Sequence, residues 1–153
     1  MGLMAWVAFM RKAHSPRGHG VHSPMLYHLC RHLLCKPFPS SQHPHVSASD
    51  ALASALDSWL SDYVSEYLPG RTARPTGKPV DWDEIRQLAH TLQPNELAAC
   101  LLIVEHMHTD GNHLAPPFPC TVVDLHRWRV LLLHAPMPAQ HVHIRPPLRW
   151  LMR

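Results

Sequence analysis

The sequence predicts an α/β protein in which N-terminal helices precede a small mixed β-sheet. Apolar residues recur at helical spacing through residues 1–92, which we expect to be the helical part. Between residues 97 and 145 they instead form short continuous or alternating runs, which are typical of strands. At 153 residues and 46% hydrophobic content, the chain (residues 1–153) is predicted to form a single domain with one core.

Start signals in the sequence support the predicted helices. Ser23 before Pro24 combines a hydroxyl N-cap with a proline at the first helical position. Asp81 followed three residues later by Glu84 resembles a capping box. We expect helices at about residues 3–13, from Pro24 to Cys35, at 49–67 with Ser49 or Asp50 as cap, and from Asp81 to Leu92. The proline-rich segment from Pro69 to Pro79 is predicted to be a linker or surface loop.

The second part of the chain contains four candidate strands. The run CLLIVE, from Cys100 to Glu105, is continuously apolar and suits a strand buried on both faces. The runs Cys120–Leu125 and Arg129–His134 are joined by a short connection, which predicts an antiparallel hairpin. The segment His141–Arg145 alternates and is predicted to be an edge strand.

Composition limits the function classes. The net charge of +3 comes from scattered basic residues, so the sequence does not indicate nucleic acid binding. The apolar start GLMAWVAFM is too short to span a bilayer and lacks the flanks of a secretory signal. We therefore predict a cytoplasmic protein whose four cysteines are reduced and mostly buried, with Cys100 and Cys120 packing rather than reacting.

Both ends of the chain carry segments that resemble one known family. The segments are RGHGVHSPMLYHL (Arg17–Leu29), LLIVEHMHTD (Leu101–Asp110), TVVDLHRWRVLLLH (Thr121–His134) and PAQHVHIR (Pro138–Arg145). Their order and the G-V-H-S-P signature, from Gly20 to Pro24, resemble bacterial class I S-adenosylmethionine-dependent methyltransferases. The resemblance covers less than half of the chain.

This resemblance implies a doubly wound, Rossmann-like sheet whose last strand is antiparallel and inserts between the fifth and sixth strands. CLLIVE then corresponds to the fifth strand, CTVVDL to the sixth and RVLLLH to the seventh. Glu105, His106 and His108 match the family's acid-rich turn after the fifth strand, and Asp124, Gln140 and His141 match as well. The implied cofactor is S-adenosylmethionine and the implied activity is methyl transfer to an unknown acceptor.

The sequence departs from the family in its middle. The family holds its cofactor on a glycine-rich turn after the first strand, where the backbone must approach the ligand closely. Between Cys35 and Pro94 the sequence has only Gly70 and Gly77, and neither follows an apolar strand run. The fold prediction is therefore a truncated methyltransferase-like sheet, and the functional prediction is a shortened or inactive methyltransferase.

Two alternative functions follow from other features. His106, His108, Asp110 and His113 form a cluster of potential zinc or iron ligands after a predicted strand, which would suit a metal-dependent hydrolase. An incomplete sheet would instead expose a strand edge, and a non-catalytic interaction module could form homo-oligomers through that edge.

Three other histidines have spacings or neighbours that suit a functional role. His28 and His32, spaced i, i+4, could bind a metal but are predicted to lie on a solvated helix face. His22 is predicted to be structural rather than a general base.

Overall fold

The computed structural model describes residues 10–11, 13–15, 18, 21–39, 45–103, 116–147 and 150. The helices are α1 (Pro24–Leu29), which continues into a π-helical turn at Cys30–Leu34, α2 (Ala48–Tyr67) and α3 (Trp82–Thr91). The strands are β1 (Thr72–Ala73), β2 (Glu96–Ile103), β3 (Thr121–Asp124), β4 (Trp128–Leu133) and β5 (His141–His143). The predicted α/β class with a mixed sheet is confirmed.

The five strands form one sheet in the order β1-β2-β4-β3-β5. β4 is antiparallel to both of its neighbours, while β1 is parallel to β2 and β5 is parallel to β3. The predicted β3–β4 hairpin is confirmed, with Asp124 paired to Arg129, and the segment from His141 forms the short outer strand β5. β4 thus lies between β2 and β3, where the resemblance places the seventh strand.

The sheet has two apolar faces of unequal size. One face, called here the α1/α2 face, packs Leu101 and Val130 against helical residues such as Leu29 and Leu56. The opposite α3 face packs Ile85 of α3 against a smaller set of strand residues, among them Cys100, Val122 and Leu131. Successive strand residues point to opposite faces, so β2, β3 and β4 each contribute to both layers.

Two predicted helix starts are confirmed. The Ser23 hydroxyl oxygen accepts a hydrogen bond from the Leu26 N–H at 3.4 Å and caps α1. The Asp81 carboxylate accepts from the Glu84 N–H at 2.8 Å and caps α3. These caps satisfy N–H groups that have no partner within the helix.

The predicted cap of α2 was wrong by two or three residues. Ser47 is the N-cap, and its hydroxyl accepts from the Asp50 N–H at 3.1 Å. Ser49 and Asp50 therefore lie inside the first turn, where the carboxylate of Asp50 interacts favourably with the positive end of the helix dipole. The reason for the error is that Ser47, Ser49 and Asp50 are all good cap residues, and spacing alone does not choose among them.

The segment predicted as a linker contains a strand. Thr72–Ala73 forms β1, and the following chain stays beside β2: the N–H of Arg74 donates to the Leu97 carbonyl at 2.7 Å, and the N–H of Val80 donates to the Leu101 carbonyl at 3.0 Å. One strand therefore lies within residues 1–92, which were predicted to be helical. This strand is too short to give a periodic signal and is fixed by pairing with β2.

A buried carboxylate of α2 forms hydrogen bonds with the backbone of the segment that follows β1. Asp57 accepts hydrogen bonds from the backbone N–H groups of Thr76, at 2.9 Å, and Gly77. Gly77 has a φ of +68°, a conformation that favours glycine. Asp57 thus replaces the water that these N–H groups would otherwise bind.

β2 begins at Glu96, four residues before the predicted start at Cys100. Residues Glu96 to Ala99 have weak intrinsic strand preference, and their pairing with β1 and with Leu133 overrides it. The predicted end at Glu105 lies outside the described residues, as does the predicted first helix except for Met10, Arg11 and Ala13. None of the described helices has the length and apolar character needed to cross a bilayer.

Candidate ligand site at the carboxyl edge of the sheet

Four polar side chains meet at one edge of the sheet. β2, β3 and β5 run in the same direction, so their carboxyl ends share this edge. Asp124 is the last residue of β3 and His143 is the last residue of β5, while Arg129 lies near the start of the reversed strand β4. Ligands of open α/β sheets bind outside the carboxyl ends of the strands.

Strand register brings these side chains to the same face. Asp124 is paired with Arg129 on one side and with His143 on the other. His141 is paired with Val122, which packs on the α3 face. Since residues two apart point the same way, Asp124, Arg129 and both histidines lie on the α3 face.

Asp124 and Arg129 form a buried, bidentate ion pair. Arg129 Nε donates to Oδ1 of Asp124 at 2.6 Å, and an Nη nitrogen donates to Oδ2 at 3.1 Å. The Arg129 side chain is 6% exposed and the Asp124 side chain is 1% exposed. The two parallel hydrogen bonds fix the carboxylate plane and compensate its burial.

The two histidines contact the same carboxylate from the solvent side. His141 Nε2 forms a short hydrogen bond with Asp124 Oδ2, and His143 Nδ1 lies 3.4 Å from that oxygen. The imidazole ring centroids are 4.7 Å apart. The side chains of His141 and His143 are 46% and 34% exposed, so the carboxylate connects a buried guanidinium to two accessible imidazoles.

The Asp124 carboxylate is ionised at neutral pH, and the guanidinium of Arg129 balances its negative charge. Burial alone would raise the pKa of Asp124, but hydrogen bonds from His141 and Arg129, together with the charge of Arg129, bring it below its ordinary value. Chemically, the arrangement offers one carboxylate oxygen and two imidazole nitrogens to a cation. Alternatively, the buried carboxylate of Asp124 orients the imidazole of His141, which is how a carboxylate positions a histidine that acts as a general base.

The sequence matches no protein-family model, no curated protein and no solved structure. The methyltransferase resemblance therefore rests on the quoted segments, and it stays a prediction.

Some residues from the resembling segments are brought together. Asp124 and His141, both at family-matching positions, are in direct contact. The hydroxyl of Ser23, from the N-terminal signature, donates to Met137 Sδ at 3.0 Å, and the Gln140 amide nitrogen lies 3.2 Å from the same sulfur. The N-terminal signature and the C-terminal segment are thus neighbours in space.

The other predicted site residues lie outside the described residues. They are Glu105 and His106 of the family-matching set, and His106, His108, Asp110 and His113 of the predicted metal cluster. Both hypotheses about residues 104–115 stay predictions.

Sequence reasoning did not identify Arg129 and His143. The available signal was the alternating pair His141 and His143 on a predicted edge strand, together with an aspartate and an arginine on either side of a short hairpin. What was missing was the parallel pairing of β5 with β3, which places His143 beside Asp124.

His32 is exposed as predicted, whereas His28 of α1 has a packing role that the sequence did not predict. His28 is half-buried rather than solvated, its Nδ1 accepts from Trp59 Nε1 at 3.0 Å, and its ring stacks on His32 at 3.9 Å. Burial and the neighbouring His32 lower the pKa of His28. His28 is therefore part of the aromatic contact between α1 and α2.

The buried cysteines fit the predicted packing role. Burial raises the pKa of Cys100 to about 12 and that of Cys120 to about 11. A thiol with such a pKa carries almost no nucleophilic thiolate at neutral pH.

Proposed function

We propose that this chain is a shortened methyltransferase-like protein without methyl-transfer activity of its own, and that it works by binding a ligand at the carboxyl edge of its sheet. The observation that carries the proposal is the buried Asp124 carboxylate, held by Arg129 and presented to solvent through His141 and His143. A buried charge of this kind costs free energy unless it is compensated, and such groups cluster at functional sites.

Strand order supports the methyltransferase-like part of the proposal. β4 runs antiparallel between the parallel strands β2 and β3, in the order that the resemblance implies for the fifth, seventh and sixth strands. The Met137 sulfur adds support, because it contacts both Ser23 of the N-terminal signature and Gln140 of the resembling segment Pro138–Arg145. Fold likeness alone does not carry an activity, so the site must be tested separately.

The absence of cofactor binding is inferred from the sequence. The only glycines between Cys35 and Pro94 are Gly70 and Gly77. In the structure Gly70 precedes the two-residue strand β1, and Gly77 donates its N–H to Asp57. Residues 74–81, which connect β1 to the next helix, α3, contain only this one glycine. A glycine-rich turn between a strand and a helix is what lets the backbone cradle a nucleotide cofactor.

Isothermal titration with S-adenosylmethionine and with its demethylated product tests this part. We expect no binding heat at protein concentrations well above the micromolar range, while a known class I methyltransferase in the same buffer binds. Micromolar binding would overturn the proposal and favour an active methyltransferase. The variants Glu105→Gln and His106→Ala would then show whether the family-matching positions contact the cofactor.

The interaction-module alternative has less support from the described residues. The outer side of β2 is covered by the segment from Thr72 to Val80. On the outer side of β5, the N–H of His14 donates to the His143 carbonyl at 2.7 Å. Edge pairing needs an exposed strand of some length, and both strands have a neighbour on their outer side. Homo-oligomer formation stays a prediction.

A further inference from the structure

We propose that Asp124, His141 and His143 bind a divalent first-row transition metal ion such as Zn²⁺. The inference rests on the proposed use of the carboxyl-edge site and names its ligand. It involves different residues from the cluster predicted at His106 to His113.

The three donor atoms already converge. Asp124 Oδ2, His141 Nε2 and His143 Nδ1 all lie within 4.8 Å of one another. Donors that surround one ion at about 2.0–2.2 Å are necessarily separated by roughly 3–3.5 Å, so small side-chain rotations suffice to close the site. Two alternate residues of one strand supply the imidazoles, and the neighbouring parallel strand supplies the carboxylate.

The donor types select the class of ion. Two imidazoles and one carboxylate suit zinc, iron and similar ions, whereas calcium and magnesium prefer all-oxygen sites. Three protein ligands leave at least one coordination position for water or a substrate, as in catalytic rather than structural zinc sites. The partial exposure of His141 gives an ion and a further ligand access from solvent.

Arg129 is a positioning residue for the carboxylate. It occupies one lone-pair direction on each oxygen of Asp124, and a carboxylate offers about four such directions in all. Oδ2 therefore keeps a lone pair that now accepts the hydrogen bond of His141 and that could bind an ion once this hydrogen bond is broken. Hydrogen bonds of this kind orient metal-binding carboxylates in known sites, although the positive charge of Arg129 opposes very tight binding.

Zinc titration of protein prepared without a histidine tag tests the proposal. We expect one Zn²⁺ per chain in the tightest class of sites. The double variant His141→Ala/His143→Ala is expected to lose more than about 100-fold in affinity, because even the loss of a group that only supports a metal ligand costs about 10–100-fold. The matched control His106→Ala/His108→Ala should keep the wild-type affinity.

The proposal is overturned if His141→Ala/His143→Ala keeps the wild-type affinity for Zn²⁺. It is also overturned if His106→Ala/His108→Ala loses the tight site. A measurement on the unaltered protein guards against misfolded variants. We expect saturating Zn²⁺ to shield His141 and His143 from diethylpyrocarbonate, as read by peptide mass spectrometry, while exposed His90 reacts as before. Equal reaction of His141 with and without Zn²⁺ contradicts the site.

These outcomes are separate from those of the S-adenosylmethionine titration. If the protein does not bind zinc, the metal-site proposal is refuted, and the proposal of a methyltransferase-like architecture is unaffected. Cofactor binding, in turn, would refute the proposed function whether or not the metal binds.

Discussion

The two faces of the sheet are stabilised in different ways. The α1/α2 face buries a large apolar set beneath a twenty-residue helix, Ala48–Tyr67. The α3 face has a smaller apolar set beneath a ten-residue helix and includes a buried ion pair at its carboxyl edge. Apolar packing is non-directional and supplies stability, whereas a buried ion pair needs specific partners. We infer that the first face holds the fold together and the second bears the ligand site.

Breaking the buried ion pair should have the largest effect. Asp124→Asn leaves the guanidinium of Arg129 buried without its counter-charge, and we expect a loss of about 3–5 kcal/mol in the free energy of unfolding. Urea denaturation measures this loss. The control Asp83→Asn breaks an exposed pair with Arg86 and should cost less than about 1 kcal/mol. Equal losses in the two variants would mean that Asp124 is not effectively buried.

Packing on the two faces should also differ. Leu56, on α2, is fully buried, and Leu56→Ala should destabilise the fold by about 2–5 kcal/mol through lost burial and a residual cavity. Leu88→Ala, at a half-buried position of α3, should cost roughly 1 kcal/mol. Thermal or urea unfolding of both variants compares the faces. A larger loss of stability from Leu88→Ala than from Leu56→Ala would contradict the inference that the α1/α2 face contributes more to the stability of the fold.

Acid should weaken the buried ion pair on the α3 face, with a smaller effect on stability than the Asp124→Asn substitution. The pKa of Asp124 is lower in the folded protein than in the unfolded chain, so its stabilising contribution is complete above about pH 5. That contribution is lost as the pH falls below about 4 and through the folded pKa, at about 1.4 kcal/mol per unit of pKa difference. The stability gap between wild type and Asp124→Asn should therefore narrow in acid. A gap that is constant from pH 7 to pH 3 would argue against an ionised Asp124.

Local signals in the sequence predicted much of the fold. Ser23, Asp81 and the hairpin between Asp124 and Arg129 could be identified because caps and short connections act over a few residues. β1 could not be predicted, since two residues carry no periodicity and its position depends on pairing with β2.

The candidate site was predicted only in part. Asp124 and His141 were noted from the resemblance, but their contact depends on the parallel pairing of β3 with β5. Segments that are far apart in sequence form such pairs, and the spacing of residues does not indicate which strands will be neighbours.

X-ray absorption at the zinc edge tests the central claim most directly, because it identifies the ligand atoms. We expect a first shell of nitrogen and oxygen at about 2.0–2.1 Å, with outer-shell scattering from two imidazoles that disappears in His141→Ala/His143→Ala. Sulfur scattering at about 2.3 Å, or an imidazole signal that survives in this variant, would contradict a metal site built on Asp124, His141 and His143.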